Sequence, residues 1–235
     1  MIISHPPAVT RERGPAAHYL LRCPGVYRPQ HDTWLLAHAL ARTDLAPRPE
    51  VLDIGTGTGA VAIAAARIGA AAVTAVDVSR AALASAWLNS RLRRIPIEFV
   101  HGDFASALRG RRFDLVLANP PYVPCPATER SSRACRTWNG GPDGRVVLDE
   151  LCAALPRLLA PGGVGLLVQS ALAGSAATLD LLAQHGFEAR VVACARVPFG
   201  PVLRRHAGWL EHTGRIRPGE RHEDLIVIRA NRATD

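Results

Sequence analysis

The sequence predicts an α/β fold: a mostly parallel sheet with helices on both faces. Three observations carry this. Short apolar runs alternate with helix-length stretches through the middle of the chain. The first of these runs empties into a glycine-rich turn, as a buried strand feeding a helix does. The last two strand-like runs have no predicted helix between them, which places an antiparallel insertion at one edge of the sheet.

Residues 1–45 precede the sheet as an N-terminal lid and helix segment. Within it, residues 32–41 read as a helix through Trp34, Leu35, Ala37, His38 and Leu40, with Asp32 as its cap. Residues 51–54 are a short apolar strand, and 58–68 a helix opening on small residues. A second strand, 72–76, ends at Asp77, and Ser79 caps a helix running to about Arg93. Residues 95–100 and 113–118 are the third and fourth strands. A helix over 144–159 is closed by Pro161-Gly162-Gly163, and the fifth strand follows at 164–168. Residues 172–185 form a helix stopped by Gly186, and 187–194 and 225–229 are the last two strands. The insert 197–221 between them is rich in Arg, Pro and Gly and holds Trp209-Leu210, so it reads as a partly ordered flap. The expectation is a single domain over residues 1–235.

Composition bounds the function. With 48% hydrophobic and 20% charged residues, the chain is an ordinary globular one. It has no uninterrupted apolar run of ~18 residues, because Arg67 and Asp77 break the Ala-rich stretch after Gly59. Nor does it open on a basic segment followed by an apolar one. The expectation is a cytoplasmic protein without membrane contact. The five cysteines (Cys23, Cys125, Cys135, Cys152, Cys194) lack zinc spacing and read as reduced thiols, with no metal site. The net charge of +8 comes from arginine without a single lysine. Two readings of that stand: the coding bias of a GC-rich genome, or a surface that meets nucleic acid, the ribosome or an acidic partner. Arg91, Arg93 and Arg94 form one cluster, and Arg130, Arg133 and Arg136 another.

Four motifs carry chemistry. In Asp53-Ile54-Gly55-Thr56-Gly57-Thr58-Gly59 the glycines let the backbone approach a ligand closely. With Ala60 as the final small residue the run also fits a dinucleotide turn, which seats a pyrophosphate at a helix N-terminus. Asp53 argues against that: it would repel phosphate but suits the cationic amino-acid end of S-adenosylmethionine. Asp77, followed by Val78, ends the next strand and can accept both ribose hydroxyls of a nucleoside. In Gly102-Asp103-Phe104 the carboxylate can accept from an adenine amino group while Phe104 packs on the ring. Asn119-Pro120-Pro121-Tyr122, directly after the fourth strand, decides the reading. The prolines fix φ and remove two backbone donors, and Asn119 is held extended ahead of them. The Asn119 side-chain oxygen and the Pro120 carbonyl can then hold the two N–H bonds of a planar –NH2 group, with Tyr122 as a flat face beside it. A sulfonium methyl is already activated, so positioning supplies most of the rate. The motifs together imply S-adenosylmethionine-dependent methylation of an amide or aromatic-amine nitrogen. The amine could belong to a protein glutamine or, as the alternative, to adenine N6 in DNA or RNA, where the base would have to be flipped out. His101 and His185 read as surface or strand-end residues.

The motif order resembles the class I methyltransferases with an Asn-Pro-Pro-Tyr signature. Residues 25–36, GVYRPQHDTWLL, and 138–145, WNGGPDGR, are similar to two signatures of the HemK-related glutamine methyltransferases, closest to their short branch. The likeness covers roughly residues 20–195 and the last strand. It implies a Rossmann-like seven-stranded methyltransferase sheet, mostly parallel with an antiparallel last strand. The implied activity is N5-methylation of the Gln in a Gly-Gly-Gln motif of a class 1 translation release factor, with a small activator subunit in some relatives. By the same resemblance Thr33 lies near the methionine end of S-adenosylmethionine, Asp53 and Gly55 line its amino-acid moiety, and Gly57 and Gly59 complete the turn. Asp77 and Val78 take the ribose, Asp103 and Phe104 meet the adenine, and Asn119 holds the amide. Arg28 and Gln30-His31 stand where the family signature carries acidic residues around Pro-Ala.

Overall fold

A computed structural model describes residues 19–126 and 138–232. Cys135, the Arg130, Arg133 and Arg136 cluster, and the start of the N-terminal segment lie outside the described residues.

Helix α1 (His31–Ala41) leads into β1 (Glu50–Ile54), α2 (Ala60–Arg67), β2 (Ala72–Asp77), α3 (Arg80–Leu92) and β3 (Glu98–His101). The short α4 (Phe104–Ala107), β4 (Phe113–Ala118), α5 (Val146–Leu158), β5 (Leu159–Ser170) and α6 (Ser175–Gln184) follow. The chain then runs through β6 (Phe187–Pro198), α7 (Pro201–His212) and β7 (His222–Arg232). The strands form one seven-stranded sheet in the order β3-β2-β1-β4-β5-β7-β6. β7 is antiparallel to β5 and β6, and the remaining pairs are parallel.

A parallel sheet covered on both faces needs strands apolar on both sides, and β1 and β4 meet that demand residue by residue. Val51, Leu115 and Leu117 join one core with Leu36 and Leu40 of α1 and Val61 of α2. Leu52, Ile54 and Val116 join the other with Leu151 and Leu155 of α5 and Leu182 of α6. No helix of the described residues is long and apolar enough to cross a membrane.

Several boundaries differ from expectation, each for a local reason. α1 is capped at Gln30, and Asp32 sits inside its first turn because its carboxyl is drawn elsewhere. α2 starts only at Ala60, after Gly59 takes a left-handed φ of 80°. β3 begins past Pro96, which has no N–H to donate to a ladder. Pro161-Gly162-Gly163 does not close α5. It lies inside β5, where the register against β4 shifts between Phe113 and Leu115. The carbonyls at the helix end, Pro156 and Leu159, are instead taken by the guanidinium groups of Arg112 and Arg232. Gly174, at φ 78°, separates a 3-10 turn (Ala171–Ala173) from α6. The largest difference is the 197–221 insert, which is no flap. Pro201 opens α7 at its first turn, and Leu203, Ala207 and Leu210 recur on one face of it. With Phe199 and Ile216 they form a core cluster of their own.

Asn89 of α3 fastens the N-terminal segment to this frame. Its amide donates to the carbonyls of Leu21 (2.8 Å) and Thr58 (3.0 Å) and accepts from the Leu21 N–H (2.8 Å), with the side chain fully buried. Replacing Asn89 by Ala strands those groups and is expected to lower the unfolding free energy by about 3 kcal/mol, measured by urea denaturation.

Candidate active site

Strand order reverses between β1 and β4, so the loops leaving their carboxyl ends diverge and open a crevice there. A cavity of about 1280 Å³ occupies it, and every expected site residue except Gly59 lines it. Gly59 serves helix packing instead. A Cβ there would lie 3.0 Å from that of Ala86, so this glycine sets how closely α2 meets α3. The positive φ of Gly55 and Gly57 (68° and 54°) turns the chain out of β1 along the cavity wall.

The two carboxyls at the ends of β1 and β2 are desolvated. Asp53 is buried, and its Oδ2 accepts from the Thr56 hydroxyl (2.7 Å) and the Ala62 N–H (3.1 Å). Burial, aided by the nearby Asp77, pushes its ionisation up to about 7. Burial also raises that of Asp77, whose oxygens accept from the N–H groups of Gly57 (3.0 Å) and Ser79 (2.8 Å). Asp77 therefore holds the glycine turn, while each oxygen keeps a second lone pair for a ligand. Asp103 caps α4 through Oδ1, which accepts from Ala105 at 2.7 Å. Phe104 packs into the α5-side core and still borders the cavity.

On the other side of the crevice, Asn119 donates from Nδ2 to Thr33 Oγ1 of α1 at 3.4 Å. Among the described residues no hydrogen bond uses Asn119 Oδ1 or the Pro120 carbonyl, so both acceptors stay open. Tyr122 departs from the expected open face: it is buried, and its hydroxyl donates to Asp32 Oδ2 at 3.1 Å. A buried phenol must find an acceptor, and this one makes the ring a wall anchored from behind. The Tyr27 hydroxyl donates to the same oxygen at 2.8 Å, and Asp32 Oδ1 accepts from the backbone N–H and the hydroxyl of Thr33. Burial and the nearness of Asp32 push both tyrosines above the usual phenol range.

The 138–145 loop buttresses this wall. Val123, just past Tyr122, exchanges hydrogen bonds with the Trp138 carbonyl and the Gly140 N–H, both 3.0 Å. A Cβ at Gly144 would come within 2.3 Å of the Tyr122 carbonyl, so only glycine lets the loop seat there. Trp138 borders the cavity, its ring 6.1 Å from that of His206 on α7. Sequence reasoning missed two cavity groups. The signal for Asp32 as a hub was its spacing from Tyr27. Glu223, at the start of β7, had no local signal because the fold alone brings it here.

The state of Asp53 sets a pH dependence. A ligand with a cationic group beside this carboxyl needs it ionised, so binding competes with a proton below about pH 7. The Kd of S-adenosylmethionine is expected to be lowest just above that pH, before the ligand's own ammonium loses its proton near about 8, and to rise toward about tenfold per unit below it. Titration calorimetry checks this, with Asp53→Asn weaker and flat over the same range.

Known proteins share this chain's features. The methyltransferase small domain family matches residues 21–132. A Methanocaldococcus jannaschii protein provisionally named as a protein N5-glutamine methyltransferase is 37% identical over 181 residues, 77% of this chain and 90% of that one. The release factor glutamine methyltransferase of Deinococcus radiodurans is 38% identical over 148 residues, 60% of this chain; the matched part spans about half of that longer protein, 52%. Among solved structures, the E. cuniculi Mtq2–Trm112 complex, described as methylating the termination factor eRF1, aligns with a TM-score of 0.61 at 22% identity. That alignment covers 89% of this chain and 99% of the other.

Proposed function

This chain belongs to the HemK-related family of protein N5-glutamine methyltransferases, and we propose that it methylates the side-chain amide of the glutamine in a Gly-Gly-Gln motif of a class 1 translation release factor. One observation carries the reading. Asn119 is fixed through Nδ2 by Thr33, and among the described residues Oδ1 and the adjacent Pro120 carbonyl are open acceptors at the crevice. Two fixed acceptors suit the two N–H bonds of a primary amide, orient its nitrogen and raise its electron density.

S-adenosylmethionine, when bound, supplies an activated methyl group. The residues present fit it: Asp53 is a desolvated carboxyl that a cationic amino-acid end would satisfy, and Asp77 keeps lone pairs for ribose hydroxyls. Asp103 and Phe104 border the same cavity for the adenine. Tyr122 and the 138–145 loop exclude water from the substrate side. A small activator subunit, which the resemblance implies, would find an apolar surface at the open edge of the sheet. There Trp87, Leu88 and Leu92 are exposed on α3 beside β3.

The roles of the two halves separate by mutation. Asn119→Ala is expected to keep cofactor affinity within about threefold while transfer falls by at least about a hundredfold. Asp77→Ala is expected to weaken cofactor binding by at least about tenfold. Equal loss of cofactor binding in both contradicts the division. Peptide mass spectrometry after incubation with S-adenosylmethionine and release factor tests the substrate. One added methyl on the Gly-Gly-Gln glutamine is expected; an unmodified peptide beside a methylated nucleic acid transfers the activity to adenine.

A further inference from the structure

The cavity wall carries a further carboxyl, Glu223, that takes no part in the roles assigned so far. Glu223 lies opposite Val197 in the pairing of β7 with β6 and borders the same cavity as Asn119. Its Oε2 is buried and has no hydrogen-bond partner among the described residues, while the Ser170 hydroxyl at the end of β5 serves the carboxyl group. The titratable groups around it are Asp32 from α1, Tyr27 from the segment before α1, Tyr122 from the loop after β4, and Asp224 beside it on β7. The two tyrosines give their protons to Asp32, which also accepts from Thr33. Within this cluster Asp32 is satisfied and Glu223 is not. A buried oxygen left unpaired is costly, and it persists where a ligand completes it.

The shape of the missing partner follows from the substrate. A primary amide brings two N–H bonds and one carbonyl oxygen. Asn119 Oδ1 and the Pro120 carbonyl serve the N–H bonds; the oxygen also loses its water on entering and needs a donor. Resting on glutamine as the substrate, we propose that Glu223 is a substrate-binding residue whose free Oε2 hydrogen-bonds the carbonyl oxygen of the amide being methylated. The carboxyl does this in its neutral form. Burial, with Asp32 and Asp224 adding to it, pushes its ionisation up to about 7, so a proton is available near neutral pH. The contact favours a carboxamide over an alkyl amine, which has no oxygen to offer.

Glu223→Leu and Glu223→Gln test this with the Gly-Gly-Gln peptide, reading peptide KM, kcat and cofactor Kd. Leu removes the hydrogen bond at similar size, so KM is expected to rise by about tenfold or more with cofactor Kd unchanged. Gln keeps a donor, and its KM is expected to stay within about threefold of wild type. The wild-type KM is expected to rise as pH increases through about 7, where the proton is lost, and that of Glu223→Gln to stay level. A wild-type KM in the Leu variant, or parallel loss of cofactor and peptide binding in both variants, overturns the proposal and leaves the glutamine reading intact. A wild-type enzyme that binds cofactor but leaves the peptide unmodified overturns both.

Discussion

The site depends on one buried carboxyl. Asp32 receives the hydroxyls of Tyr27 and Tyr122 on one oxygen and the N–H and hydroxyl of Thr33 on the other. Through Tyr122 it holds the loop after β4, and through Thr33, which meets Asn119, it orients the amide at the crevice. An isolated buried carboxyl is expensive; this one is stabilised by donors from its own segment, Tyr27 and Thr33, and from Tyr122 after β4, so it also fixes the mutual position of the two stretches. The N-terminal segment is thereby part of the cavity wall.

The sheet supplies the rest by geometry. Its order reverses at β1 and β4, which places the carboxyls of Asp53 and Asp77 on one side of a single crevice and Asn119 on the other. One side is acidic and desolvated and suits a cation and a nucleoside. The other presents uncharged acceptors and suits a neutral amide. The inserted α7 packs its own small core beside the crevice and brings Phe199 and Leu203 to the cavity together with β7 and Glu223. Many arginines have structural work in this frame. Arg145 holds the carbonyls of Ala173 and Gly174 and pairs with Asp149, and Arg112 and Arg232 finish α5. Part of the positive charge is thus used internally, whatever the remainder meets outside.

The sheet was legible because its signals are local: Val51 to Ile54 and Phe113 to Ala118 are apolar runs ending in motifs that only a strand end could use. The motif residues came together for the same reason, since parallel strands send their carboxyl ends to one edge. Three things were not legible. Gly59 looked like its neighbours in the turn, but its contact is Ala86, a partner that only helix packing reveals. The insert's Arg, Pro and Gly content outweighed the spacing of Leu203, Ala207 and Leu210, and that spacing is what makes it a helix. Asp32 resembled a cap because it precedes a helical run, yet a carboxyl beside two phenols, that of Tyr122 buried, has better partners than a helix N-terminus.

The most direct measurement is on Asp32→Ala, comparing the Kd for S-adenosylmethionine with the single-turnover rate of methyl transfer. If Asp32 is the tie between the N-terminal segment and the substrate loop, Kd stays within about threefold while the rate falls by at least about a hundredfold, because Asn119 and Tyr122 lose their fixed positions. A wild-type transfer rate in this variant would contradict the account, since the loop after β4 would then hold its geometry without the carboxyl.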